Sequence, residues 1–277
     1  MFSLVPEPSD SLSVLSMQCR FWQSLSACLS TGRRVDGLPC CTAADCRRGV
    51  SSLSRLLWRK LEQPGEAADK LSVLSLLYDL ERDTSLVSAP VREEAWSRSF
   101  ESVASPCLSD APSVGERLRI GLCRCLSDYF YFDPSAEDDS WFLFLRDTVR
   151  GWAGSFSPLT GWADLSLPDA LERVEVMNRY SYMFLDSSCD AVTASAYGFY
   201  RSAFFRSPSS SYDLCSLLHT LSLEGHALPL DEGLAEDIVS RLSLHVRQSP
   251  GAREAELCLL SCRAASCAFC RLEPEIA

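Results

Sequence analysis

Apolar residues recur every three or four positions along most of this chain, the spacing of one face of an α-helix rather than the alternation of a strand. Over Ser11 to Leu29 the positions Leu12, Leu15, Cys19, Trp22 and Leu25 to Leu29 keep that spacing, which predicts an amphipathic helix with one buried face. From Thr42, placed to cap three residues before Asp45, a second stripe runs through Cys46, Val50, Leu53, Leu57 and Leu61 until Pro64 and Gly65 stop it. A third covers Leu71, Leu74, Leu77, Tyr78 and Leu80.

Later helices announce themselves by their starts. Ser88 with Pro90 precedes a stripe through Trp96, Phe100 and Val103, and Ser113 precedes one through Leu118, Leu122, Cys125 and Tyr129. Ser135 with Asp138, and Ser166 with Pro168 and Asp169, are acidic variants of the capping box. They open helices over Trp141 to Val149 and Leu171 to Leu185, and another follows over Ala191 to Phe205. A Ser/Pro cluster at Ser207 to Ser211 marks a loop before a short helix through Leu214, Leu217, Leu218 and Leu221. Two more stripes, Leu234 to Val246 and Leu257 to Leu272, complete the chain.

The expected fold is therefore all-α: an irregular multi-helix bundle of about eleven helices paired as antiparallel hairpins, with an α/α hairpin solenoid or toroid as the alternative. One domain spanning residues 1–277 is expected, with a subdivision near 207–211. Gly151-Trp152-Ala153 and Gly161-Trp162-Ala163 are the one internal echo, too short to define a repeat.

Composition narrows the classes of function. At 277 residues the chain can bury a full core without staples. Acids outnumber bases 37 to 26, giving a net charge of −11, which opposes phosphate-driven nucleic-acid binding and an anionic membrane surface. No stretch is long and apolar enough to span a bilayer, and Met1 to Asp10 lacks a basic leader, so a cytoplasmic protein is expected. Lys60 and Lys70 are the only lysines and Asn178 the only asparagine, a bias towards GC-rich codons that turns many of the 14 cysteines into small hydrophobes.

Three constellations carry candidate chemistry. Asp128 to Phe144 interleaves acids with aromatics; Asp133, Asp138 and Asp139 could act as hydrolytic carboxylates, with Tyr131 and Trp141 as stacking platforms for a glycan. Tyr197 and Tyr200, on the second of two aromatic-rich helices, could line a polar cavity. Cys40, Cys41 and Cys46 near a helix start, with Cys267 and Cys270 near the far end, could share a structural zinc, whereas Cys258 and Cys262 diverge from the latter pair on a continuous helix. As a redox pair, Cys267 and Cys270 sit at the wrong helix end to stabilise a thiolate.

His219, His226 and His245 lack a metal-pair spacing, and no phosphate loop, dinucleotide fingerprint or nucleophile elbow occurs. The reading that follows is a non-catalytic binding or accessory protein with a protein partner and no resident cofactor. A hydrolase or glycan-binding protein with an acidic-aromatic cavity and a structural zinc protein are the alternatives.

Overall fold

The computed structural model describes residues 5–32, 34–35, 41–82, 93–109, 115–132, 140–163, 165–204, 232–248 and 253–269. Among them the chain forms ten α-helices: α1 (Leu12–Ser30), α2 (Ala43–Glu62), α3 (Ala67–Arg82), α4 (Glu93–Ser109), α5 (Glu116–Phe132), α6 (Ser140–Ser155), α7 (Leu167–Phe184), α8 (Ser187–Phe204), α9 (Glu232–Gln248) and α10 (Arg253–Phe269). No strand is found among the described residues, only an isolated bridge between Ser157 and Gly161. The all-α bundle is thus present with ten described helices against about eleven expected; the short helix expected over 214–221 lies outside the described residues. So do the start signals Ser88, Ser113 and Ser135. None of the described helices is long and apolar enough to cross a membrane.

Where the start signals are described, they act as their chemistry dictates. Ser11 and Ser166 hold extended backbone and accept hydrogen bonds from the amides of Val14 and Asp169, satisfying donors that a helix start leaves open. Thr42 and Asp45 bond reciprocally at the start of α2, and this contact pulls the Asp45 carboxyl down to about 2.

The chain divides into two compact units, Met1–Leu56 with Asp79–Ala89 and Pro208–Ala277, and Leu57–Tyr78 with Pro90–Ser207. In the first, α1 is buried on every side rather than on one face: Gln18, Ser24 and Ser26 are as enclosed as Leu15 and Phe21, and Arg20 is buried too. The sequence reading missed this because serine and cysteine are small enough to sit in close helix contacts. The principal neighbour of α1 is α10, and the two run parallel, not as a hairpin. Asp10 pairs with Arg253, Met17 meets Cys258, the Cys28 thiol donates to the Ala264 carbonyl and the Cys267 thiol to the Arg34 carbonyl, so both sequences advance together. Gly49 of α2 lies flat against the Trp22 indole, where a Cβ would come within 2.1 Å of the ring.

In the second unit α4 to α8 pack around a core of Trp96, Phe100, Phe130 and Tyr180. The Trp96 indole stacks on Phe100 at 5.4 Å and donates to the Leu74 carbonyl at 2.9 Å. Helices α7 and α8 form a tight hairpin whose turn holds Leu185 at φ 50°, with Asp186 accepting from the Ser188 amide. This hairpin and the antiparallel pair α5–α6 bring α5 and α7 side by side and parallel, which places the site described next.

Candidate functional site

Helical spacing assembles a groove in the second unit. Phe144, Asp147, Thr148, Gly151, Trp152 and Ser155 recur along one side of α6; Glu116 and Arg119 face them from the first turn of α5, and Arg173 from α7. These residues line an open groove of about 610 Å³. Gly151 leaves room in its wall, since a Cβ there would meet nothing within 4 Å.

Glu116 organises the floor. Its Oε1 accepts from the Trp152 indole Nε1 at 3.0 Å and from Arg173 Nε at 3.2 Å, and it lies 2.7 Å from Arg173 NH2; Oε2 lies 3.5 Å from Arg119 NH1. The Arg173 guanidinium is held by two indoles as well, its Cζ lying 5.1 Å from the Trp152 ring centre and 5.3 Å from that of Trp162. Guanidinium planes on indole faces are attracted by the ring quadrupole, more strongly once water is removed, and only 9% of the Arg173 side chain is exposed.

The second indole is fixed from behind. Trp162 donates from Nε1 to the Trp152 carbonyl at 3.1 Å, and its backbone amide donates to the Tyr200 hydroxyl at 3.2 Å while the two rings stack. Gly161 makes this possible: at φ 63° it turns the chain, and a Cβ would stand 2.6 Å from Phe199 and 2.9 Å from the Tyr200 hydroxyl.

Deeper along α5 and α7, the charges continue as a buried ladder. Arg124 meets Glu175 at 3.1 Å, and Arg179 reaches both Asp128 at 2.6 Å and Glu175 at 3.1 Å. From the groove inward α5 presents Glu116, Arg124 and Asp128, and α7 answers with Arg173, Glu175 and Arg179, each rung opposite in sign to the one before. A slip of one rung would oppose like charges, which penalises the wrong register. Beside the ladder, burial and the Glu175 charge raise the Tyr197 hydroxyl well above its ordinary range. Burial does the same to the Cys123 thiol, which hydrogen-bonds with Thr148 of the groove wall.

The residues singled out by sequence are dispersed. Tyr197 and Tyr200 are core residues, 3% and 6% exposed, one beside Glu175 and the other behind Trp162. Trp141 is half-buried and packs against Phe100 and Tyr129 at 5.5 and 5.6 Å. Asp133, Asp138 and Asp139 lie outside the described residues, as does the side chain of Tyr131. Cys40 and Cys270 do too, so the proposed zinc set is not described as a whole. Of its other members, Cys46 is buried, donates to the Trp22 carbonyl and has its thiol pushed up to about 11; Cys41 is half-buried, and Cys267 bonds to Arg34. Among the described residues no three His, Cys, Asp or Glu side chains converge as a metal site.

Glu116, Arg173 and the Trp152–Trp162 clamp escaped the sequence reading. The signal was the doubled Gly-Trp-Ala, which marks two indoles brought to one cation rather than a repeat.

No protein-family model matches the chain, and no curated protein or solved structure is significantly similar to it.

Proposed function

We propose that this chain is a non-catalytic binding or accessory protein of the cytosol that holds a protein partner along the groove between α5, α6 and α7. The observation that carries the reading is how the groove is built. Its deepest cation, Arg173, is only 9% exposed and is fixed between the Trp152 and Trp162 indoles, so the groove has a set wall and its ionisable groups are engaged in ion pairs rather than poised as a reactive base. A preformed concave surface of this kind lowers the ordering cost of association. Eight of the described cysteines are buried, and cysteine-rich packing of this kind suits a reducing compartment.

Gly151→Trp tests the reading, because an indole there fills the groove without entering the core. Immobilised wild-type chain should retain a partner that the folded Gly151→Trp variant loses. Equal retention by both would refute the assignment to this groove.

A further inference from the structure

We infer that the groove contains a carboxylate-binding site which Glu116 occupies from within the chain, and that a partner's carboxylate takes its place on binding. This rests on the reading of the groove as the docking surface and names what it recognises.

Four contacts define the site. Arg173 offers Nε and NH2 as a fork, Trp152 adds its indole N–H, and Arg119 approaches the other oxygen. That donor set suits a carboxylate: one edge of a planar guanidinium, held by aromatic walls, converges with an indole N–H on one oxygen, and a further cation faces the other. Arg173 is nine-tenths buried and fixed between Trp152 and Trp162, so the donors keep their geometry when the acceptor changes.

The present occupant is the more exposed member of the pair. Glu116 is the first residue of α5, and 31% of its side chain is exposed. Rotated outward, its carboxylate remains at the positive end of the α5 dipole, which offsets part of what it gives up, and the incoming carboxylate restores the counter-charge of Arg173. The space it would free is continuous with a groove that also carries the Thr148 and Ser155 side chains. Arg119 and Arg173 then present two positive charges locally, within a chain whose net charge of −11 repels indiscriminate anions. Asp147 also lines the groove, paired to Arg146 at 2.9 Å, and selects against ligands carrying many negative charges.

The full chain with ¹⁵N-labelled tryptophan provides the test. Sodium acetate and a blocked glutamyl peptide are each titrated against sodium chloride at equal ionic strength while the Trp152 Nε1–H resonance is followed. Wild type should shift saturably with both carboxylates and not with chloride, the peptide binding more tightly than acetate; equal binding of the two would overturn the assignment to a protein partner's carboxylate. Because a resident competitor that fills the site about 90 to 99% of the time lowers apparent affinity about 10- to 100-fold, Glu116→Ala should gain that factor. Should Glu116→Ala not fold, Glu116→Gln should gain in the same direction. Arg119→Ala should weaken binding without moving the other indole resonances.

If wild type ignores both carboxylates and only Glu116→Ala responds, the pair is structural and the inference falls. Partner loss in Gly151→Trp would survive that outcome, whereas a Gly151→Trp variant that keeps its partner removes the docking surface and leaves the titration readable.

Discussion

Arg124 of α5 and Glu175 of α7 meet at 3.1 Å with only 10% and 1% of their side chains exposed, and Glu175 takes Arg179 at the same distance. Two arginines on neighbouring helices therefore share one buried carboxylate, and Arg179 holds Asp128 as well at 2.6 Å.

Removing that carboxylate should be severe. Glu175→Ala takes the buried carboxylate from Arg124 and leaves Arg179 with Asp128, and should cost about 3 to 5 kcal/mol. Glu175→Gln keeps the shape and one acceptor and should cost less. Urea denaturation with unchanged slopes checks both; a loss below about 1 kcal/mol for the alanine variant would mean that the ladder is not stabilising.

Gly161 and Gly32 both have positive φ, 63° and 72°, but only Gly161 is crowded. Alanine at either site pays the left-handed strain of about 1 to 2 kcal/mol. At Gly161 the collision with Phe199 and Tyr200 adds to it and should also shift the Trp162 indole resonance. Equal losses in melting temperature for the two variants would contradict the packing described behind Trp162.

Buried thiols make the protein sensitive to alkali. Cys46 is raised from its ordinary value of 9 to about 11 by burial. In the unfolded chain the thiol ionises near 9, in the folded chain only near 11, so stability is complete below about pH 9 and falls as pH rises through about 11. Cys189 is shifted upward by the same cause. The urea midpoint should decline across that window, and less steeply in Cys46→Ala; a midpoint independent of pH there would oppose the assigned burial.

Ser166→Ala removes the acceptor for the Asp169 amide at the start of α7 and should cost about 0.5 to 2 kcal/mol, with Ser166→Gly closer to wild type. A larger loss for glycine than for alanine would place the effect outside the cap.

The legible part of this fold is what local chemistry controls. The Ser166 cap, the Thr42–Asp45 start and the stripe from Cys46 to Leu61 follow from spacing and from the open donors of a helix start. Long-range pairing is different. Arg173 and Glu116 are 57 residues apart, and nothing in either neighbourhood announces the other. Serines and cysteines hid the full burial of α1, because their size suits a close helix contact while their polarity suggests a surface. In the aromatic segments, periodicity identified the helices bearing Tyr197 and Tyr200 but not that a backbone amide, that of Trp162, would take up the Tyr200 hydroxyl.

A partner seated in the α5–α6–α7 groove should be trapped there by site-specific photo-crosslinking inside the cell. A photoreactive residue at Ser155, which is exposed and lines the groove, should yield one discrete adduct, lost when Gly151→Trp is added, while the same residue at exposed Glu62 of α2 should not. The same adduct from both positions, or none from Ser155, would mean that no partner sits in this groove.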